Sequence, residues 1–119
     1  MSQPVDLTAL RGAVAEQGPI TYLVTVNDDG TAHVTSVVVR YEDDHLAVGT
    51  GRRTRANIER RPQVTLLWPP GPDPVYSLIV DATVVAVDGE DAILEPQAAI
   101  LHRVAGASGD GPTCLPVDG

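Results

Sequence analysis

Apolar and polar residues alternate along most of this chain with the two-residue period of half-buried strands. Ile20–Val26 (ITYLVTV) is rich in β-branched residues and predicts a strand. NDDG follows as a hairpin turn, because Asn, Asp and Gly tolerate positive φ. TAHVTSVVVRY is the partner strand, with His33, Thr35, Val37 and Val39 on one face and Val34, Ser36, Val38 and Arg40 on the other. After the turn EDDH, LAVGTG returns as a third strand. QVTLLW, VYSLIVDATVVAV and AILEPQAAILHRV continue the pattern, with DGED as a turn before the last and Pro96 as a bend within it.

Two stretches depart from the alternation. At the N-terminus, Val5, Leu7, Leu10 and Val14 recur near helical spacing. They predict an amphipathic helix over about 5–17, capped by Asp6 or Thr8 and ended by Gly18-Pro19. TRANIERR, between Thr54 and Pro62, predicts one or two helical turns with Thr54 as the cap. PPGPDP holds four prolines in six residues and can only be a loop. Together these features predict an all-β domain over residues 1–105: a Greek-key barrel of six antiparallel strands with small helices. The Gly/Pro-rich stretch 106–119 is expected to be an irregular tail.

Composition narrows the function. The 119 residues suit one domain, and the core must be aliphatic, since there is no Phe and only 3% of residues are aromatic. Nothing approaches the roughly 20-residue apolar run of a membrane helix. No basic flank precedes an apolar block, so no signal peptide is read and a cytoplasmic protein is expected. Cys114 is the single cysteine, and His33, His45 and His102 show no metal-ligand spacing. The net charge of -8 argues against nucleic acid as a partner.

Against that acidity, five of the eight Lys+Arg residues, all of them Arg, fall between Arg52 and Arg61. Arg60 and Arg61 suit the C-terminal end of a helix dipole. Arg52, Arg53 and Arg55 do not, for they crowd the positive end of the dipole unless an anion lies between. Gly49-Thr50-Gly51 leaves backbone amides bare just ahead of them, and Thr50 and Thr54 add hydroxyls. Amides, hydroxyls and guanidinium forks describe a phosphate cradle for a small anionic ligand. The spacing is not that of a P-loop.

The order of these pieces resembles the pyridoxamine 5'-phosphate oxidase-like, FMN-binding split-barrel family. The resemblance rests on Asp29-Gly30 in the first turn, Thr50 to Pro62 (TGRRTRANIERRP), Val64 to Trp68, and the closing strands YSLIVDATVVAV and AAILHRV, and covers about residues 18–105. It implies a split β-barrel homodimer with two flavin sites at the subunit interface. It implies phosphate binding by Thr50, Gly51, Arg53, Thr54, Arg55 and Asn57, and a ring lying along Val34, Thr35, Ser36 and Val37. FMN is the implied cofactor, the deazaflavin coenzyme F-420 the alternative. In two places the chain departs from the family pattern: Thr54 stands where a Lys is common, and Asp81 where a Gly is common.

The function expected is hydride transfer to or from a small molecule by a flavin-dependent oxidoreductase, whose cofactor carries the chemistry so that no acid/base set is required. A deazaflavin-dependent reductase and a non-catalytic flavin- or haem-binding barrel are the alternatives. No catalytic residue is assigned. Trp68 is read as a core or interface anchor or as a wall of the ring pocket, and His102 or Arg103 as able to reach the ligand.

Overall fold

The computed structural model describes residues 2–70 and 76–105. Its strands are β1 (Ser2–Val5), β2 (Ile20–Val26), β3 (Ala32–Glu42), β4 (His45–Gly49), β5 (Gln63–Trp68), β6 (Tyr76–Asp88) and β7 (Asp91–Arg103); its helices are α1 (Leu10–Gln17) and α2 (Arg52–Arg60). All pairings are antiparallel, in the order β1-β7-β4-β3-β2-β5-β6, and β6 also pairs with β7. That last pairing closes β2 to β7 into the expected six-stranded barrel. The connection from β4 through α2 to β5 carries the chain past β3 and β2.

The alternation read from the sequence becomes the inside and outside of this barrel. Leu23, Leu46, Val48, Val64, Leu66, Leu78, Val80 and Leu94 fill the core with Trp68. Each such burial stabilises the fold by about 1.5–3 kcal/mol relative to exposure. Leu10 and Val14 of α1 join this cluster, as does Ile58 of α2. Trp68 is a core anchor: it is 1% exposed, and its indole N–H donates to the Gly18 carbonyl at 2.9 Å. The turn after β2 has the expected form, with Gly30 at φ 87°.

Four sequence expectations need correction. Ser2–Val5 is a strand paired with Ala99–His102, so Val5 is not helical. Its Pro4 breaks no alternation that the sequence could display, and proline is tolerated on an edge strand. The N-terminal helix therefore starts late: Asp6 caps a 3-10 turn, Leu7–Ala9, by accepting from the Thr8 amide at 3.0 Å, and α1 follows at Leu10. The second helix starts early, at Arg52, with Gly51 as its N-cap, and Thr54 lies buried inside it. Finally, β7 runs unbroken through Pro96. The β6–β7 register shifts between Asp81 and Ala82, opposite Pro96 and Ala98, and Pro96 lies beyond the β4 pairing at Leu94 and short of the β1 pairing at Ala99. A bulge of this kind accommodates the missing N–H.

The proline loop from residue 71 to 75, the tail from residue 106 and Cys114 lie outside the described residues. Among the described residues no helix is long and apolar enough to cross a membrane.

Candidate functional site

β4 delivers the chain to the site. Leu46, Ala47 and Val48 are buried, and Gly49 surfaces opposite Asp91 of β7. Thr50 is then pinned, its amide and its hydroxyl each donating to the Glu90 carbonyl at 2.8 Å. Gly51 caps α2 without any side-chain bond, and the first intrahelical bond runs from the Arg55 amide to the Gly51 carbonyl. The amides of Arg52, Arg53 and Thr54 therefore open onto the helix N-terminus, its positive end.

An open groove of about 510 Å³ runs alongside. One side is Thr35, Ser36, Val37, Val38 and Arg40 of β3; the other is Gly49, Thr50 and Gly51 with Glu90 and Asp91 of the β6–β7 turn. Thr35, Ser36 and Val37, expected to line a ring, and Thr50 and Gly51, expected to hold a phosphate, line this groove; Val34, Arg53, Thr54, Arg55 and Asn57 do not. Val34 is 54% exposed on the outer face.

The rest of the Arg segment divides by position. Arg53 borders a separate recess of about 340 Å³ with Asn27, Asp28, Asp29 and His33. Arg55 turns the other way, its Nη2 donating to the Gly89 carbonyl at 2.6 Å and its Nε to Thr50 Oγ1 at 3.3 Å. Thr54 and Asn57 are each 2% exposed and face inward. The Asn57 amide donates at 3.0 Å to both Thr25 Oγ1 and Asn27 Oδ1, fastening α2 to the end of β2. Arg60 and Arg61 both reach Asp28, at 3.6 and 2.7 Å, and Arg61 also donates to the Val26 carbonyl, long-range bonds that their place at the helix end did not foretell. Among the described residues, Arg52 and Arg53 form no ion pair within 4.0 Å.

Two glycines bear on what the groove receives. A methyl added at Gly49 or Gly51 would meet nothing within 4 Å, and neither residue has a positive φ. Neither the turn geometry nor the chain's own packing demands glycine at Gly49, whereas Gly51 suits the N-cap of α2. Glycine in a strand weakens it, and its presence commonly marks a place where something outside the chain comes close to the backbone. A thin ligand lying against Gly49 would meet that condition.

Charge at the rim is organised. Arg40 bonds Glu42 at 2.8 Å and Asp91 at 2.9 Å, and these two carboxylates raise its pKa. The hydrogen bond from Arg61 holds Asp28 below the usual carboxylate range, and those from Thr31 do the same for Asp29. Arg40, Glu90 and Asp91 line the groove although their sequence context does not single them out. Alternation places Arg40 on the face of Ser36 and Val38, a signal that was legible; Glu90 and Asp91 arrive only by the β4–β7 pairing. His102 and Arg103, on β7, do not line the groove.

The outer face of β2 and β3 runs into the groove through Val38. Ile20 and Val38 are cross-strand partners, 66% and 57% exposed, and Tyr22, Val26 and Val34 extend the same apolar surface.

A closed antiparallel barrel with a groove between its second hairpin strand and the start of the crossover helix is the split barrel of flavin-binding proteins. Solved structures of this fold match the chain. An F-420 reductase has TM-score 0.58 and 18% identity, over 70% of this chain and 90% of that one. A FAD-binding protein from Mesorhizobium loti gives 0.63 and 14%, over 85% and 96%. The heme storage protein from Vibrio cholerae gives 0.61 and 14%, over 84% and 96%. Such identities carry the fold alone. Uncharacterized proteins of Mycobacterium bovis and Mycobacterium tuberculosis are each 38% identical over 128 residues, covering 94% of this chain and 88% of theirs. No family model matches. The chain has the split-barrel fold of these structures and belongs to one family with these mycobacterial relatives.

Proposed function

We propose that this protein is a flavin-dependent oxidoreductase that binds FMN in the β3–β4–α2 groove and exchanges hydride with a small molecule. The observation that carries the reading is the Gly49-Thr50-Gly51 floor, where Gly49 leaves the backbone bare although neither strain nor packing demands a glycine, and Gly51 leaves it bare as the cap of α2. The open amides of α2 with Arg52 and Arg53 suit a phosphate. Thr35, Ser36, Val37 and Val38 offer one wall for a planar ring. A bound flavin supplies the hydride chemistry, and the chain's part is to bind, orient and exclude water. The flavin-binding and F-420 reductase neighbours support the cofactor class.

The same reading includes a homodimer. A single copy leaves the groove open and leaves Ile20, Tyr22, Val34 and Val38 in water. A second copy over that apolar face would wall the groove at Val38.

Titration of the purified protein with FMN, coenzyme F-420 and haem, followed by absorption and fluorescence, tests the assignment. Saturable FMN binding, with weaker binding of the other two, is expected. Preference for the deazaflavin would replace FMN by F-420 in the same groove, and a Soret band with no flavin binding would refute the oxidoreductase.

A further inference from the structure

Arg55 is one of the cations expected to hold the phosphate, yet its guanidinium is engaged within the chain. Nη2 donates to the Gly89 carbonyl at 2.6 Å, and Nε reaches the Thr50 hydroxyl, which itself donates to the Glu90 carbonyl at 2.8 Å. With the Thr50 amide on the same Glu90 carbonyl, these bonds tie the start of α2 to the β6–β7 turn. Gly89 in that turn has φ 62°, so the turn is a specialised one held from outside by a side chain of the helix. Glu90 and Asp91, delivered by this turn, are the groove's far wall.

We infer that Arg55 is a positioning residue: it fixes the β6–β7 turn as a wall of the groove and leaves the ligand's phosphate to Arg52, Arg53 and the first amides of α2. The inference rests on the flavin reading above. Two consequences separate the roles. A residue that grips the phosphate matters for FMN and not for riboflavin, which has the same ring without the phosphate. A residue that sets the wall matters equally for both. A phosphate-gripping guanidinium also makes binding salt-sensitive, and one held by a backbone carbonyl and a threonine hydroxyl away from the phosphate adds little to that sensitivity.

The test is the affinity of wild type, Arg53→Ala, Arg55→Ala and Thr50→Val for FMN and for riboflavin, with the salt dependence of FMN binding. Thr50→Val loosens the same turn with no change of charge, so it carries the argument if Arg55→Ala does not fold. Arg53→Ala is expected to weaken FMN by about tenfold or more, to spare riboflavin and to flatten the salt dependence. Arg55→Ala and Thr50→Val are expected to weaken both ligands by a common factor and to keep the wild-type salt slope. Should riboflavin bind too weakly to titrate, the salt slopes decide. An Arg55→Ala defect confined to FMN, a flattened slope in that variant, or wild-type affinity in both turn variants overturns the inference and leaves the flavin site standing. Wild type that binds neither ligand removes both.

Discussion

Replacing Gly49 by Ala should raise stability and lower ligand affinity together. A glycine required by backbone strain or by tight internal packing would lose stability instead. The added methyl meets no heavy atom within 4 Å, and Gly49 has no positive φ that a Cβ would strain. The variant therefore loses only the flexibility of the unfolded chain, a gain of about 0.4–1 kcal/mol. For a chain of this size that is a rise in Tm of roughly 2–6 °C. The groove reading requires the ligand to lie on the same spot. An inserted methyl costs about 1–3 kcal/mol where it forces a fit, so the FMN Kd should rise by roughly 5- to 150-fold. Thermal unfolding without ligand and a fluorescence titration with FMN measure the two effects on one sample. Unchanged affinity in a variant that melts at or above the wild-type temperature would refute the groove floor as a contact surface. A lowered Tm would instead refute the account of Gly49 as unstrained and unencumbered.

Asn57→Ala removes two hydrogen bonds from a site that is 2% exposed; the expected loss is about 2–4 kcal/mol in denaturant unfolding, and a loss under about 1 kcal/mol would show that these two bonds do not fasten α2. Asp28 has its pKa depressed chiefly by the Arg61 hydrogen bond, so its contribution to stability is fully present above the unfolded carboxylate value near 3.8 and is lost as pH falls through the folded one. Asp28→Asn should accordingly lower Tm at neutral pH and match wild type in strong acid, and a gap that persists undiminished in acid would rule this linkage out. Ile20→Lys places a charge at the centre of the exposed apolar face; wild type should sediment as a dimer and the variant as a monomer, whereas a monomeric wild type at micromolar concentration ends the dimer reading.

Much of the barrel was legible because a half-buried antiparallel strand writes its two faces into alternate residues. Ile20–Val26 and Gln63–Trp68 have the very bounds the pattern predicts. β1 was not legible, since four edge residues including Pro4 carry no alternation and are ordered only by pairing with β7. The start of α2 was misplaced for a related reason. Thr54 is a good cap by type, but Thr50 is anchored to Glu90, and that long-range bond starts the helix at Arg52.

The site divides along the same line. Composition and spacing alone mark out the cluster of Arg and Thr behind two glycines, because fixed charge crowding a helix N-terminus is conspicuous in an acidic chain. They also predict which face of β3 carries Ser36 and Val38. The division of labour among the arginines is decided elsewhere. Arg55 meets a turn that lies 34 residues further along the chain, and Arg61 meets one that lies 33 residues back. The closing of β7 onto β4 brings Glu90 and Asp91 to the groove. Local sequence determines what a residue can bond; the closure of the barrel determines which of those bonds the chain itself consumes and which remain for a ligand.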